Sequence, residues 1–146
     1  MRIVGGKYKS YIIPTSKKIK ARPTTDMAKE ALFNILENKI DFNQIYVLDL
    51  FCGTGNISYE FASRGVKEIT AVDHQINALQ FIQKQSSHWG MNINTKKKNA
   101  LSFLEITDDK YDVIFADPPY DFKRIDEIHD IIFKRKLLRD HGLFVL

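Results

Sequence analysis

Cysteine occurs once in this 146-residue chain, as Cys52, so no intramolecular disulfide and no cluster of thiolate metal ligands can form. Such usage suits a reducing compartment. Long apolar runs are also missing. A membrane-spanning helix needs about 20 consecutive apolar residues, and the opening MRIVGGKYKS has no apolar signal-peptide core. A soluble cytoplasmic protein with no membrane partner is the expectation. His74, His88, His129 and His141 share no metal-ligand spacing with acids or cysteine, so no metal site is expected. Repeats and low-complexity tracts are absent. Lys96-Lys97-Lys98 comes nearest to one and reads as a solvated strand end.

Acidic residues are absent from positions 1–25, which hold Arg2, Lys7, Lys9, Lys17, Lys18, Lys20 and Arg22. That segment carries +7, which leaves −3 of the net +4 for the remainder. A local basic excess matches the footprint of a polyanion partner, because each neutralised phosphate releases condensed counterions. The lysines are interleaved with Tyr8, Tyr11, Ile12 and Ile13, which a disordered tail would not need.

With 44% hydrophobic residues, the chain has enough apolar material for one core. Gly5-Gly6 lies between Ile3-Val4 and Tyr8–Ile13 and predicts a tight β-hairpin. Thr24 or Thr25 is placed to cap a helix ending near Asn38, with Ala28, Ala31, Leu32, Ile35 and Leu36 as its apolar stripe. From residue 45 short apolar strands alternate with helical stretches. The strands are 46–50, 69–73, 93–97, 112–117 and 142–146, and the helices lie near 56–64, 75–88, 100–105 and 124–138. Gly65 and Gly90 stop the first two helices. This alternation predicts a doubly wound, mostly parallel α/β sheet.

In such sheets ligands bind beyond the carboxyl ends of the strands. The first strand ends in DLFCGTGNIS, where Gly53 and Gly55 let backbone approach a ligand and the next helix offers free N–H groups. The second ends at Asp73, placed to accept ribose hydroxyls. A dinucleotide fingerprint needs a third small residue, a place held by Ser58. Asn99-Ala100 follows the third strand. The fourth runs into ADPPYDF, residues 116–122. Two consecutive prolines extend neither helix nor sheet, but they hold the Asp117 carboxylate beside the Tyr120 ring, a combination suited to a planar base bearing an amine. Cys52 sits inside the glycine turn and reads as a packing residue.

The motifs D-x-F-x-G-x-G and D-P-P-Y resemble those of class I methyltransferases that use S-adenosylmethionine. The segments 3-IVGGKYKS-10, 22-RPTTD-26, 30-EALFNIL-36, 48-LDLFCGTGNIS-58 and 99-NALSFL-104 resemble, more narrowly, the family that methylates guanine N2 in 16S ribosomal RNA. The resemblance implies a Rossmann-like fold in a single domain, with residues 1–25 as a basic hairpin extension and 26–146 as an extension helix plus catalytic core. Family members continue with further strands, so C-terminal strands are expected to be missing here.

The resemblance also implies roles. Asp49, Phe51, Gly53 and Gly55 line the methionine end of the cofactor, Asp73 binds its ribose, and Asn99 with Ala100 meets the adenine. Asp117 and the Pro118 carbonyl accept hydrogen bonds from the guanine amine, and Tyr120 stacks on the base. Lys7, Lys9, Arg22, Thr24 and Thr25 contact RNA, although Arg22 and the Thr24-Thr25-Asp26 corner could equally be a helix start. The expected protein is a monomer acting on 16S rRNA within a small ribosomal subunit or assembly intermediate. A DNA adenine or cytosine amino-methyltransferase and a non-catalytic RNA-binding form are the alternatives.

Overall fold

The computed structural model describes residues 1–20 and 24–146; Arg22, expected at a phosphate, lies outside them. Five parallel strands form one sheet: β1 (Tyr46–Leu50), β2 (Glu68–Asp73), β3 (Ile93–Lys97), β4 (Tyr111–Ala116) and β5 (Leu138–Val145). Their order is β3-β2-β1-β4-β5, so the chain reverses direction of winding between β1 and β4. Among the described residues five α-helices accompany them: α1 (Asp26–Glu37), α2 (Asn56–Ser63), α3 (Ile76–Trp89), α4 (Ala100–Ile106) and α5 (Ile125–Lys134).

Successive residues of the inner strands alternate between two cores, as a pleated strand requires. Val47, Ile69, Ala71, Val113 and Phe115 join a core with Phe33 of α1, Phe61 of α2 and Ile82 of α3. Leu48, Leu50, Val72, Ile114 and Ala116 join a second with Leu101 and Leu104 of α4 and Ile128 and Ile132 of α5. Two apolar faces explain why the strands read as nearly continuous hydrophobic runs. The result is the Rossmann-like, doubly wound α/β sheet that the sequence predicts.

Three local expectations need correction. The buried face of α1 is Lys29, Phe33 and Leu36; Ala28, Ala31 and Ile35 point to solvent. Phe33 meets Phe61 edge to face at 4.7 Å, a contact worth roughly 0.5–1.5 kcal/mol beyond its burial. Lys29 turns inward to Glu60, 3.5 Å away, and both side chains are 0% exposed. Burial pulls the Lys29 pKa down and the Glu60 charge pushes it back up.

The N-terminal hairpin exists without strands or a two-residue turn. Its arms meet in one antiparallel bridge, Arg2 with Ile12, flanked by Ile3 N–H donating to the Tyr11 carbonyl at 2.9 Å and Ile13 N–H to that of Met1 at 2.8 Å. The connection instead wraps the end of α2. Val4 N–H donates to Glu60 Oε2 at 3.0 Å, Lys7 N–H to the Ser63 carbonyl at 2.7 Å, and Tyr8 N–H to Ser63 Oγ at 2.9 Å. Gly6 has φ +77°, and a Cβ there would lie 2.1 Å from the Ser63 oxygen, so glycine is needed for closeness as well as for backbone sign.

The third correction lies at the other end. α5 stops at Lys134 and β5 begins at Leu138, both earlier than predicted. Lys136 takes φ +54°, and Leu137 N–H donates back to the Ile132 carbonyl at 3.0 Å, a helix-ending turn made without its usual glycine. A bulge opposite Asp112 then separates Leu138, paired with Tyr111, from Leu143, paired with Val113.

Candidate active site

The carboxyl ends of β1, β2 and β4 open onto a cavity of about 400 Å³, beside the place where strand order reverses. Asp49, Phe51, Gly53, Asp73, Asn99, Ala100, Asp117, Pro118 and Tyr120 all line it. Gly55 lies behind this wall. With φ +86° and a hypothetical Cβ 2.8 Å from Ile82 Cγ1, it lets the loop turn close against α3. Phe51, at φ +58°, adopts a backbone that non-glycine residues rarely take. Its ring rests edge to face on Phe122 at 5.0 Å.

Asp73 orders the loops around it. Its Oδ2 accepts from Gly53 N–H at 2.9 Å and its Oδ1 from Gln75 N–H at 2.9 Å. Each oxygen keeps a further lone pair for a ligand. Asn99 Oδ1 accepts from Leu101 N–H at 3.0 Å, capping α4, so its amide N–H₂ is the group left for the cavity.

Asp49 is the most perturbed acid in this cavity. It is 1% exposed and accepts from Ser58 Oγ at 2.6 Å and from the Ser58 backbone N–H. Burial raises its pKa from 3.8 to about 7; the Ser58 hydrogen bonds oppose the rise, and the charges of Asp73 and Asp117 add to it. Ser58, the residue at the third position of the glycine fingerprint, therefore holds the first motif's acid. Three acidic side chains lining one cavity with Phe51, Phe115, Phe122 and Pro118 make a site that favours a ligand combining positive charge with a flat apolar part.

Cys52 packs in this wall, with its thiol pKa pushed well up by burial, so it is a poor nucleophile at neutral pH. Tyr120 stands 92% exposed at the rim. Thr24 lines the cavity, whereas Thr25 caps α1 by accepting from Ala28 N–H at 3.1 Å. Lys7 sits by Ser63, and Lys9 N–H donates to the Gly6 carbonyl in the same turn, at the end of α2 remote from the glycine loop, about 12 Å along an eight-residue helix. Lys20, Asn56, His74, Gln75, Lys98 and Phe122 also line the cavity and escape the sequence reading. Lys20 had a signal in the basic segment, Asn56 in the glycine motif and Phe122 as the second aromatic of ADPPYDF. Among the described residues no helix is long and apolar enough to cross a membrane.

The family pattern described as conserved hypothetical protein 95 matches residues 1–146. Ribosomal RNA small subunit methyltransferase D of Haemophilus influenzae is 30% identical over 151 residues, covering 98% of this chain and 76% of the relative. Its namesake from Buchnera aphidicola subsp. Baizongia pistaciae is 29% identical over 147 residues, covering 100% of this chain and 74% of the relative. The solved structure of an Escherichia coli protein described as a putative methyltransferase superposes with TM-score 0.86 at 26% identity, covering 99% of this chain and 77% of that one. Matched from its first residue to its last, the chain belongs to the conserved hypothetical protein 95 family, together with these small-subunit ribosomal RNA methyltransferases.

Proposed function

We propose that this protein methylates the exocyclic N2 amine of a guanine in 16S ribosomal RNA, with S-adenosylmethionine as donor. The observation that carries the reading is the Asp-Pro-Pro-Tyr turn, which delivers Asp117 to the same cavity as the glycine loop and Asp73. The names of the ribosomal RNA methyltransferase relatives support the substrate.

The donor set fits the cofactor chemically. Asp49 faces its cationic methionine end, Gly53 and Gly55 shape the loop for its carboxylate, Asp73 accepts from its ribose, and Asn99 with Ala100 meets its adenine. When bound, the cofactor supplies an electrophilic methyl group on a sulfonium. The remaining work falls to the chain. An exocyclic amine is a weak nucleophile because its lone pair is delocalised into the ring, so orientation and electrostatics must supply most of the acceleration.

Asp117 and the Pro118 carbonyl accept from the amine N–H groups and fix its direction, and Asp117 takes the proton released on transfer. Tyr120, at the rim, stacks on a base turned out of its helix. Thr24 and the basic N-terminal segment hold the neighbouring backbone. The test is transfer of labelled methyl to small ribosomal subunits lacking the modification, with duplex DNA offered in parallel. Asp117→Ala should lower kcat by roughly 100-fold or more; transfer that survives this change intact refutes the assignment.

A further inference from the structure

Two cavity-lining side chains have no part in the chemistry above. Asn56 opens α2 directly after the glycine loop, and Gln75 follows Asp73 by two residues. Both reach the basic N-terminal segment. Asn56 Oδ1 accepts from Lys29 Nζ at 2.7 Å, while its Nδ2 donates to the Thr24 carbonyl at 3.1 Å. The Gln75 amide meets both backbone groups of Lys20: Oε1 accepts from Lys20 N–H at 3.3 Å, and Nε2 donates to the Lys20 carbonyl at 3.0 Å.

The chemistry of these contacts is specific. A carboxamide carries an acceptor and a donor on one planar group, so a single side chain can satisfy an ammonium and a carbonyl, or the N–H and C=O of one residue. A carboxylate keeps half of each arrangement, and alanine keeps none. Both clamps also join the same two regions. Their near ends stand on the loops assigned to cofactor, and their far ends on the segment assigned to RNA.

Resting on the proposed function, we infer that Asn56 and Gln75 are positioning residues that fasten the N-terminal segment, at Thr24 and Lys20, to the two cofactor loops. Cofactor that orders those loops also orders the segment RNA must meet. The coupling is reciprocal by linkage, so RNA tightens cofactor by the same factor. Neither side chain touches a reacting atom.

Asn56→Asp and Gln75→Glu test this without emptying the sites. The first keeps an acceptor for Lys29 and loses the donor to Thr24; the second keeps an acceptor for Lys20 N–H and loses the donor to its carbonyl. KM and kcat are measured with small ribosomal subunits lacking the methyl group, and S-adenosylhomocysteine affinity by calorimetry with and without the same particles. Each variant should raise KM for particles about fivefold, the scale of one net hydrogen bond, with a smaller change in kcat. Affinity for S-adenosylhomocysteine alone should stay within about twofold of wild type. In the double variant the gain in that affinity on adding particles should disappear.

Unchanged KM and unchanged gain in the double variant, with wild type transferring methyl normally, overturn the inference and leave the function standing. A wild-type protein that transfers no methyl overturns both.

Discussion

Replacing Asp49 by asparagine removes a titrating group and leaves its shape, so the consequence is read in pH. Burial raises the folded-state pKa of Asp49 from 3.8 to about 7, which means that the folded protein holds this proton more tightly than the unfolded chain. Stability from this group is greatest below pH 4 and falls as pH rises toward 7. A pKa gap of roughly 3 corresponds to about 4 kcal/mol of lost stability well above pH 7, of which about 2 kcal/mol is lost between pH 5 and 7.

Urea unfolding of wild type and Asp49→Asn at pH 5, 6, 7 and 8 should show the difference between the two proteins changing by that amount and then levelling. The slope is the measure rather than the absolute value, because the asparagine also buries an amide N–H₂. A difference that is constant across the series refutes the account of Asp49. The same group reports on ligand. A cation bound beside it lowers its pKa, so S-adenosylmethionine binding near pH 7, where Asp49 is about half protonated, should release up to about half a proton, visible as a dependence of binding heat on buffer ionisation enthalpy, and Asp49→Asn should abolish that dependence.

Lys29→Ala should destabilise the fold by roughly 3–5 kcal/mol, because it leaves Glu60 buried with one cation fewer; a urea midpoint close to wild type would contradict this. Lys7→Gln with Lys9→Gln should leave stability unchanged and, if both lysines meet phosphates, reduce the slope of log affinity for RNA against log salt by about 1.4; an unaltered slope places the RNA path elsewhere. Charge neutralisation is the cleaner experiment than deleting residues 1–20, which would strip the fully buried Ile3 and Ile13 from the core.

How far the sequence can be read depends on whether the deciding partner is near in the chain. β1 falls where its apolar run puts it, because neighbouring residues settle a strand between two helical layers. The cavity residues that were legible were so for a topological reason, since in a parallel sheet whatever follows a strand at its carboxyl end faces the ligand. The buried face of α1 was not legible. Periodicity admits Ala28 and Ile35 as readily as Phe33, and Lys29 points inward to distant partners, Asn56 and Glu60, 27 and 31 positions later. The ends of α5 and β5 escaped because Lys136 and His141 take positive φ without the glycine that advertises it. The clamps made by Asn56 and Gln75 escaped because they end on the Thr24 carbonyl and on both backbone groups of Lys20, which leave no mark in side-chain spelling.

The N-terminal hairpin bears on the order in which the protein is made. Its contacts are the Glu60 carboxylate, Ser63, and the Trp89 carbonyl that accepts from Tyr8 Oη at 2.7 Å. These residues therefore wait for partners translated some 50 to 80 codons later. Once docked, Met1 Sδ accepts from Thr54 Oγ1 at 3.2 Å, inside the glycine loop. A substitution at Met1 therefore reaches the glycine loop directly, although 53 positions separate the two in the chain.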